Sequence, residues 1–537
     1  MVCKINSEIL RFTQNDESLQ EKYRIEKTKM QNSNNKHRQV ALIVLDGWGY
    51  RENPNHNAIM DANTPFFDGM WKTYPHALLE ASGQNVGLPE GQIGNSEVGH
   101  MTIGSGTIID TDLVAITKAF REGTFANNPA FLEMCEHVKK NDSTLHLMGL
   151  VSAGGVHSHN AHLVSLLRVI KNAGITKVVV HAFLDGRDTS PISGAGYVAE
   201  IETLLKELGI GRIATAVGRH FAMDRDSNWD RLALAEDAMW RGKGRVILGT
   251  KASEDVASVY ETGTDDEQFP PTVYLDPAGK PSLVEAHDGI IMWNFRPDRA
   301  RMLAHNILKR AEEEDYKLLT FTAYERFTPA LVAFEKGKIE TTIAKEVSVA
   351  GLTQVHIAET EKYAHATYFL NGGVEDKYPG EEHVMIESHR DVPTHDLAPK
   401  MRAKEIADSA LDYIEKGTDF LFLNFANSDM VGHTGNKPAI IEAVEEVDRQ
   451  LSRVVPAIVR RGGVVFVTSD HGNAEENVDP ASGKRHTAHT TNPVPAIITD
   501  SSFRMKEKGD LSDIAPTILK LLDLPAPKVM TGKSLID

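Results

Sequence analysis

Val40-Ala-Leu-Ile-Val-Leu45-Asp46-Gly47-Trp48-Gly49 runs an unbroken apolar stretch into an acid and a glycine. A continuous apolar run halted by a turn signal is the pattern of a strand covered on both faces. The same pattern recurs outward along the chain at residues 145–151, 177–184, 212–217, 290–293 and 318–323, and again at Phe420–Phe425 and Val464–Thr468. Between the last two, Ile440, Val444, Val447, Leu451, Val454 and Ile458 fall at helical spacing, one apolar face of an amphipathic helix. Buried strands alternating with such helices specify a layered α/β fold.

The polar residues that follow these strands share a chemistry. Asp46, His157, Asp185, Asp188, Arg219, Arg296, Asp429, Asp470 and His471 all lie just beyond apolar runs. In open α/β sheets the crevice outside the carboxyl ends of the strands is where ligands bind. One polar loop after a strand is ordinary; a whole series supplying only acids, imidazoles and guanidiniums marks a site.

The bulk composition narrows the function. The 537 residues are 41% hydrophobic and 25% charged, with a formal net charge of −17. That balance excludes a general nucleic-acid or anionic-membrane binder, which needs a basic surface; any anionic substrate must meet local positive charge. Cys3 and Cys135, the two cysteines, cannot form a disulfide framework and suit a reducing compartment. Apolar runs stay far shorter than a membrane span. Residues 1–38 mix both charge signs without an apolar core, so they read as a polar extension with one helix around residues 17–29, not a targeting signal. Residues 39–108 and 346–537 are expected to form one discontinuous domain around an insert at 109–345. Candidate hinges lie in the Gly-rich stretch 99–106 and the polar crossover 334–345.

Asp429-Met-Val-Gly-His433 and Asp470-His471-Gly472-Asn473 each pair a carboxylate with an imidazole after a strand, and His486-Thr-Ala-His489 adds two more rings. Asp and His without Cys suit Mn²⁺, Co²⁺, Zn²⁺ or Mg²⁺. Two such ions, about 3.5–4 Å apart, can clamp both oxygens of an in-line phosphoryl displacement. The nucleophile this requires is available in Gly94-Asn95-Ser96-Glu97-Val98-Gly99-His100, where Ser96 opens a helix at its positive end. The plain alternative is that Asn95 or Ser96 only caps that helix.

Positive charge gathers elsewhere. His157, Arg187, Asp188, Arg219, Arg225, Arg296 and Arg299 lie on successive loops of the middle segment. Guanidinium binds carboxylate and phosphate oxygens in pairs, so this set reads as a pocket for a small substrate carrying both groups. Ion pairing with Asp224, Asp226 or Asp298 is the competing explanation for any single arginine.

Leu45-Asp46-Gly47-Trp48-Gly49, Gly94–His100, Asp429–His433, Asp470–Glu475 and His486–His489 together resemble the cofactor-independent phosphoglycerate mutases of the alkaline phosphatase superfamily, in order from about Val40 to Ser534. The resemblance implies a discontinuous, alkaline-phosphatase-like three-layer α/β/α domain with an inserted α/β substrate-binding domain. It implies that Asp429, His433 and His489 hold one metal, that Asp46, Ser96, Asp470 and His471 hold the other, and that Ser96 carries a phosphoryl group. His486 is then not a ligand. His157, Arg187, Asp188, Arg219, Arg225, Arg296, Arg299 and Lys362 match the substrate-binding pattern, with Asp188 moving protons. Two divalent ions are implied, Mn²⁺ first and Mg²⁺ or Co²⁺ as alternatives, with no 2,3-bisphosphoglycerate. The expected protein is a cytoplasmic monomer of glycolysis and gluconeogenesis, interconverting 3-phosphoglycerate and 2-phosphoglycerate without nucleic-acid or membrane partners. His395 departs from the pattern, which has Tyr there. A metal-dependent phosphomonoesterase would not need the arginine-bearing domain, and a phosphopentomutase would not need a carboxylate pocket. A non-catalytic metal-binding protein would be expected to have lost a ligand or the nucleophile.

Overall fold

The computed structural model describes residues 38–325, 329–335, 337, 339–479 and 482–537. Cys3 and the helix expected at 17–29 lie outside the described residues. Arg38, assigned above to the extension, is tied to the body: its Nη2 lies 2.6 Å from Asp500 Oδ2, and its Nε donates to the Gly462 carbonyl at 3.0 Å.

The described residues form two compact units. One comprises those up to Ser82 together with Ile93–Ile108 and Thr341–Asp537; the other comprises Gly83–Gln92 and Ile109–Glu340. Each is built on an eight-stranded sheet.

In the first unit the strands run in the order Glu381–Ile386, Gln354–Glu359, Phe420–Phe425, Val40–Leu45, Val464–Thr468, Val494–Ile498, His76–Glu80 and Lys508–Asp510. The apolar runs read from sequence occupy the centre, where every residue of Val40–Leu45, Phe420–Phe425 and Val464–Thr468 is buried. Those three strands are parallel, with Leu45 opposite Phe425 and Val44 opposite Thr468. They therefore end together, which brings the segments that begin at Asp46, Ala426 and Ser469 to one edge. Ala41, Ile43 and Leu45 pack with Leu421, Leu423 and Phe425 against Ile406 and Ala410 of the helix Ala403–Lys416 and against Ile440, Val444, Val447 and Leu451 of the helix Lys437–Val459.

The second unit orders Leu331–Phe334, Lys317–Thr322, Gly289–Met292, Leu145–Leu150, Val178–Leu184, Arg212–Gly218, Thr272–Tyr274 and Arg245–Ile247. Its central strands are parallel, with Leu150 opposite Phe183 and Leu184 opposite Gly218. The loops bearing His157, Asp185 to Asp188, Arg219 and Arg296 thus leave the sheet on the same side.

The stretch 99–106 is helical and not an irregular loop. It belongs to the helix Ser96–Ser105, which ends at Gly106 in the left-handed conformation. Its glycines serve close packing: a Cβ on Gly99 would meet the Asp470 carbonyl at 2.8 Å, and one on Gly104 would meet that of Leu370 at 1.9 Å.

Candidate active site

Asn95 caps the helix Ser96–Ser105, its side chain accepting from Val98 N at 3.1 Å. Capping therefore falls to Asn95 and leaves the Ser96 hydroxyl for other partners. Ser96 Oγ lies 2.6 Å from Lys362 Nζ, 2.9 Å from His471 Nε2 and 3.3 Å from Asp46 Oδ1. Lys362 Nζ also lies 2.6 Å from both Asp46 Oδ1 and Asp429 Oδ2. Burial disfavours its ammonium form, but Asp429, Asp46 and Asp470 outweigh that and raise its pKa.

The remaining ligand-type residues meet in the same unit. Asp429 Oδ1 lies 3.2 Å from His433 Nε2 and 3.1 Å from His489 Nε2, and those two nitrogens are 3.1 Å apart. The His433 and His489 Nδ1 atoms face the carbonyls of Thr487 and Gly94 at 2.8 Å, which assigns their protons to Nδ1 and turns both Nε2 lone pairs towards Asp429. The His471 ring stacks on His489 at 3.7 Å between centroids, and its Nε2 lies 3.5 Å from Asp46 Oδ1 and from Asp470 Oδ2.

These groups fit divalent cations. Three acceptor atoms converging at about 3 Å need a proton or a cation among them. The Asp429 carboxylate raises the pKa of His433; at His489 burial opposes the proton, but Asp429 and the Gly94 carbonyl prevail. Asp46, Asp429 and Asp470 are all buried around the single Lys362 ammonium. Burial first, then the neighbouring Asp470 charge, pushes the Asp46 carboxyl above its ordinary range. Uncompensated buried carboxylates are costly, and cations bound to oxygen and nitrogen relieve them. Three compact groups of possible ligands occur among the described residues; two belong to this cluster, Asp429 with His471 and His489 and Asp46 with His100 and Asp470, and the third is His356 with Glu381 and His383. His100 was given no role from sequence, and both its nitrogens are already committed. Nδ1 is 2.9 Å from the Ser96 carbonyl, and Nε2 is 3.0 Å from Asn424 Nδ2.

Asn424 has no place in the sequence motifs, and Asn473 stands in one of them without a role. Asn424 Nδ2 donates to Asp46 Oδ2 at 2.8 Å, and Asn473 Nδ2 donates to Asp429 Oδ1 at 2.9 Å. The available signal was an amide inside the otherwise apolar Phe420–Phe425 strand. His486 stays apart from the cluster, with Nδ1 3.1 Å from the Glu476 carbonyl. His395 Nε2 sits 3.9 Å from Glu361 Oε1.

The arginines gather in the second unit. Arg219 is buried, with Nη1 2.6 Å from both Asp185 Oδ1 and Asp188 Oδ2. Arg225 Nη1 and Arg296 Nε each lie 3.1 Å from Asp298, so the ion pairing weighed above is present at these two residues. Arg187 Nη1 is 3.6 Å from Glu267, and Arg299 donates to the Met223 carbonyl at 3.2 Å. Arg187, Arg225 and Arg296 keep about half of their side chains exposed, free to take an anion (53%, 46% and 51%). Burial, followed by the like charges of Arg225, Arg219 and Arg187, lowers the Arg299 pKa. Burial and then Arg219 bring His157 down to about 4, so it is neutral at pH 7, with Asp298 3.6 Å from its Nδ1.

A model of the Metalloenzyme superfamily matches residues 38–526. The chain is 45% identical over 535 residues to a Chloroflexus aggregans protein named 2,3-bisphosphoglycerate-independent phosphoglycerate mutase, covering 93% of this chain and 98% of that one. A Methanosarcina acetivorans protein named 2,3-bisphosphoglycerate-independent phosphoglycerate mutase 1 is 45% identical over 509 residues, with coverage of 93% and 98%. Among solved structures, Leishmania mexicana phosphoglycerate mutase at low cobalt concentration is similar with a TM-score of 0.53 and 28% identity, over 94% of this chain and 99% of that one. Among the described residues no helix is long and apolar enough to cross a membrane.

Proposed function

The chain belongs to the 2,3-bisphosphoglycerate-independent phosphoglycerate mutases of the Metalloenzyme superfamily, and from that membership we propose how its two clusters divide the reaction. The activity is the interconversion of 3-phosphoglycerate and 2-phosphoglycerate. Residues 39–108 and 346–537 handle the phosphoryl group, and the insert 109–345 binds the rest of the substrate.

Asp429, His433 and His489 would hold one divalent ion, and Asp46, Ser96, Asp470 and His471 the other, with Mn²⁺ expected and Mg²⁺ or Co²⁺ also suited to these donors. Bound there, such ions neutralise the buried carboxylates and favour the ionised serine and the charged phosphoryl oxygens. Ser96 Oγ attacks phosphorus as the bond to the glycerate oxygen breaks, leaving phosphoserine and glycerate. Lys362, 2.6 Å from Oγ, stabilises the charge on the transferring group. Arg187, Arg225, Arg296 and Arg299 hold the glycerate carboxylate. Arg219 orients Asp188 and offers the substrate its buried, unpartnered Nε. Neutral His157 binds substrate as a hydrogen-bonding partner. Asp188 carries the proton between the hydroxyls of glycerate, and the alternate hydroxyl then takes the phosphoryl group back from Ser96. Because Ser96 stores the phosphoryl group, no 2,3-bisphosphoglycerate is required. The same proposal has the chain working as a cytoplasmic monomer on a small molecule, with neither nucleic acid nor membrane as partner.

The observation that carries this reading is the Ser96 hydroxyl, set at a helix start between Lys362 and His471 amid three buried carboxylates. The test is interconversion of the two phosphoglycerates without added 2,3-bisphosphoglycerate, before and after chelation. Activity should vanish on chelation and return with Mn²⁺, Mg²⁺ or Co²⁺. Full turnover by protein shown to be metal-free by elemental analysis refutes it.

A further inference from the structure

Glu475 is fully buried two residues beyond Asn473, and all four of its closest donors are neutral. Oε2 accepts from Gly49 N at 3.1 Å and from Asn473 N at 2.9 Å. Oε1 accepts from Asn492 Nδ2 at 2.9 Å and from the Thr490 hydroxyl. These donors belong to three separate loops. Gly49 follows Asp46, Asn473 follows Asp470 and His471, and Thr490 and Asn492 follow His489. The space is cut to the carboxylate: a Cβ on Gly49 would lie 2.2 Å from Glu475 Cδ, and one on Gly472 would lie 2.5 Å from Oε1. Backbone bonds run alongside, from Thr490 N to the Gly472 carbonyl and from Ala474 N to that of Gly47, both at 3.0 Å.

We infer that Glu475 is a positioning residue for the Ser96 site, holding in mutual register the three loops that carry Asp46, Asp470 with His471, and His489. The inference rests on the reading of that cluster as a metal-dependent phosphoryl-transfer site. Its chemical logic is the acceptor count. A carboxylate presents acceptors on both oxygens, whereas the amide of Gln replaces one oxygen by a donor and turns it against two of the four donors. Freed of that constraint, the loops lose the preset spacing of their ligands, and groups that orient metal ligands typically change affinity by about 10–100-fold when altered.

The test compares wild type, Glu475→Gln and Glu475→Ala as full-length proteins stripped of metal. Mn²⁺ is titrated calorimetrically, the melting temperature of the chelated protein is recorded, and kcat and KM for 3-phosphoglycerate are measured at saturating Mn²⁺. The expected result is an approximately 10-fold weaker Mn²⁺ affinity for Glu475→Gln and a loss towards 100-fold for Glu475→Ala. The fall in turnover should appear in kcat, with KM within about two-fold, because the arginine cluster is untouched. A purely structural role would lower the melting temperature of the chelated protein and leave Mn²⁺ affinity unchanged, and that outcome overturns the inference. If Glu475→Ala does not fold, the isosteric Glu475→Gln decides alone. Wild type that binds no Mn²⁺ overturns the reading of the site itself, a result separable from any change between variants.

Discussion

Replacing Glu359 by Gln should make the protein's stability less dependent on pH, by an amount the structure sets. Glu359 ends the strand Gln354–Glu359 and precedes the helix Thr360–Ala364 that carries Lys362. It is fully buried, and its carboxyl accepts from Ser388 Oγ at 2.9 Å and from Arg402 N at 3.5 Å. Burial raises its pKa from 4.5 to about 7, with Glu361 adding to the shift and the two donors opposing it. An acid held at about 7 in the fold and about 4.5 in the unfolded chain makes the ionised folded state roughly 3 kcal/mol less stable. Below pH 4.5 both states are protonated and this cost is absent. Between 4.5 and 7 the folded protein keeps a proton that the unfolded chain has lost, so stability falls as pH rises; above about 7 the full cost stands. Gln is neutral throughout and keeps an acceptor for Ser388. Thermal denaturation of both proteins from pH 5 to pH 9 should show the variant gaining on wild type, by about 3 °C at pH 8 if 1 kcal/mol corresponds to about 1 °C in a protein of this size. A melting-temperature difference that is the same at pH 5 and pH 8 would show that Glu359 ionises as an ordinary carboxyl, and the burial argument would fail.

Ser96→Ala should abolish interconversion of the phosphoglycerates while leaving the fold and most of the Mn²⁺ binding intact; near-normal turnover in the purified variant rules out the covalent route. Arg296→Ala or Arg299→Ala removes a charge-assisted contact worth about 1.5–3 kcal/mol. Mutase activity should fall while free phosphate released per 2-phosphoglycerate rises, and an unchanged product ratio in both variants removes glycerate retention from these arginines. Gly104→Ala should destabilise the protein by about 1–3 kcal/mol through overpacking, since the new Cβ would lie 1.9 Å from the Leu370 carbonyl. An unchanged or higher melting temperature for that variant contradicts the close-approach account.

The central strands were legible because a strand buried on both faces must be apolar throughout, and Val40–Leu45, Phe420–Phe425 and Val464–Thr468 match their sequence-derived limits. The two edge strands of the first sheet were missed for the converse reason. Glu381–Ile386 begins with three polar residues, and Lys508–Asp510 is only three residues long, so neither shows an unbroken apolar run. The residues Asp46, Ser96, Asp429, His433, Asp470, His471 and His489 could be singled out because each lies in a short motif of ligand-type residues. Their chemistry is carried by residue type and local spacing.

Partnership is a different kind of information. That Asn95 rather than Ser96 caps its helix, that both His100 nitrogens are committed, and that Arg219 is bound to Asp185 and Asp188 all depend on groups brought together by the sheets. The glycines at 99 and 104 looked flexible in sequence, yet they are conformationally ordinary helix residues whose missing side chains admit distant backbone. Glu475 shows the division most clearly. The chain alone presents it as one acid at the end of a motif, whereas its four donors are spread from Gly49 to Asn492. Local sequence can specify which groups are able to donate or accept, because that is covalent chemistry. Which of them meet is decided only when parallel strands end at a common edge and water is driven from between their loops, for then each buried acceptor must find a donor from another part of the chain.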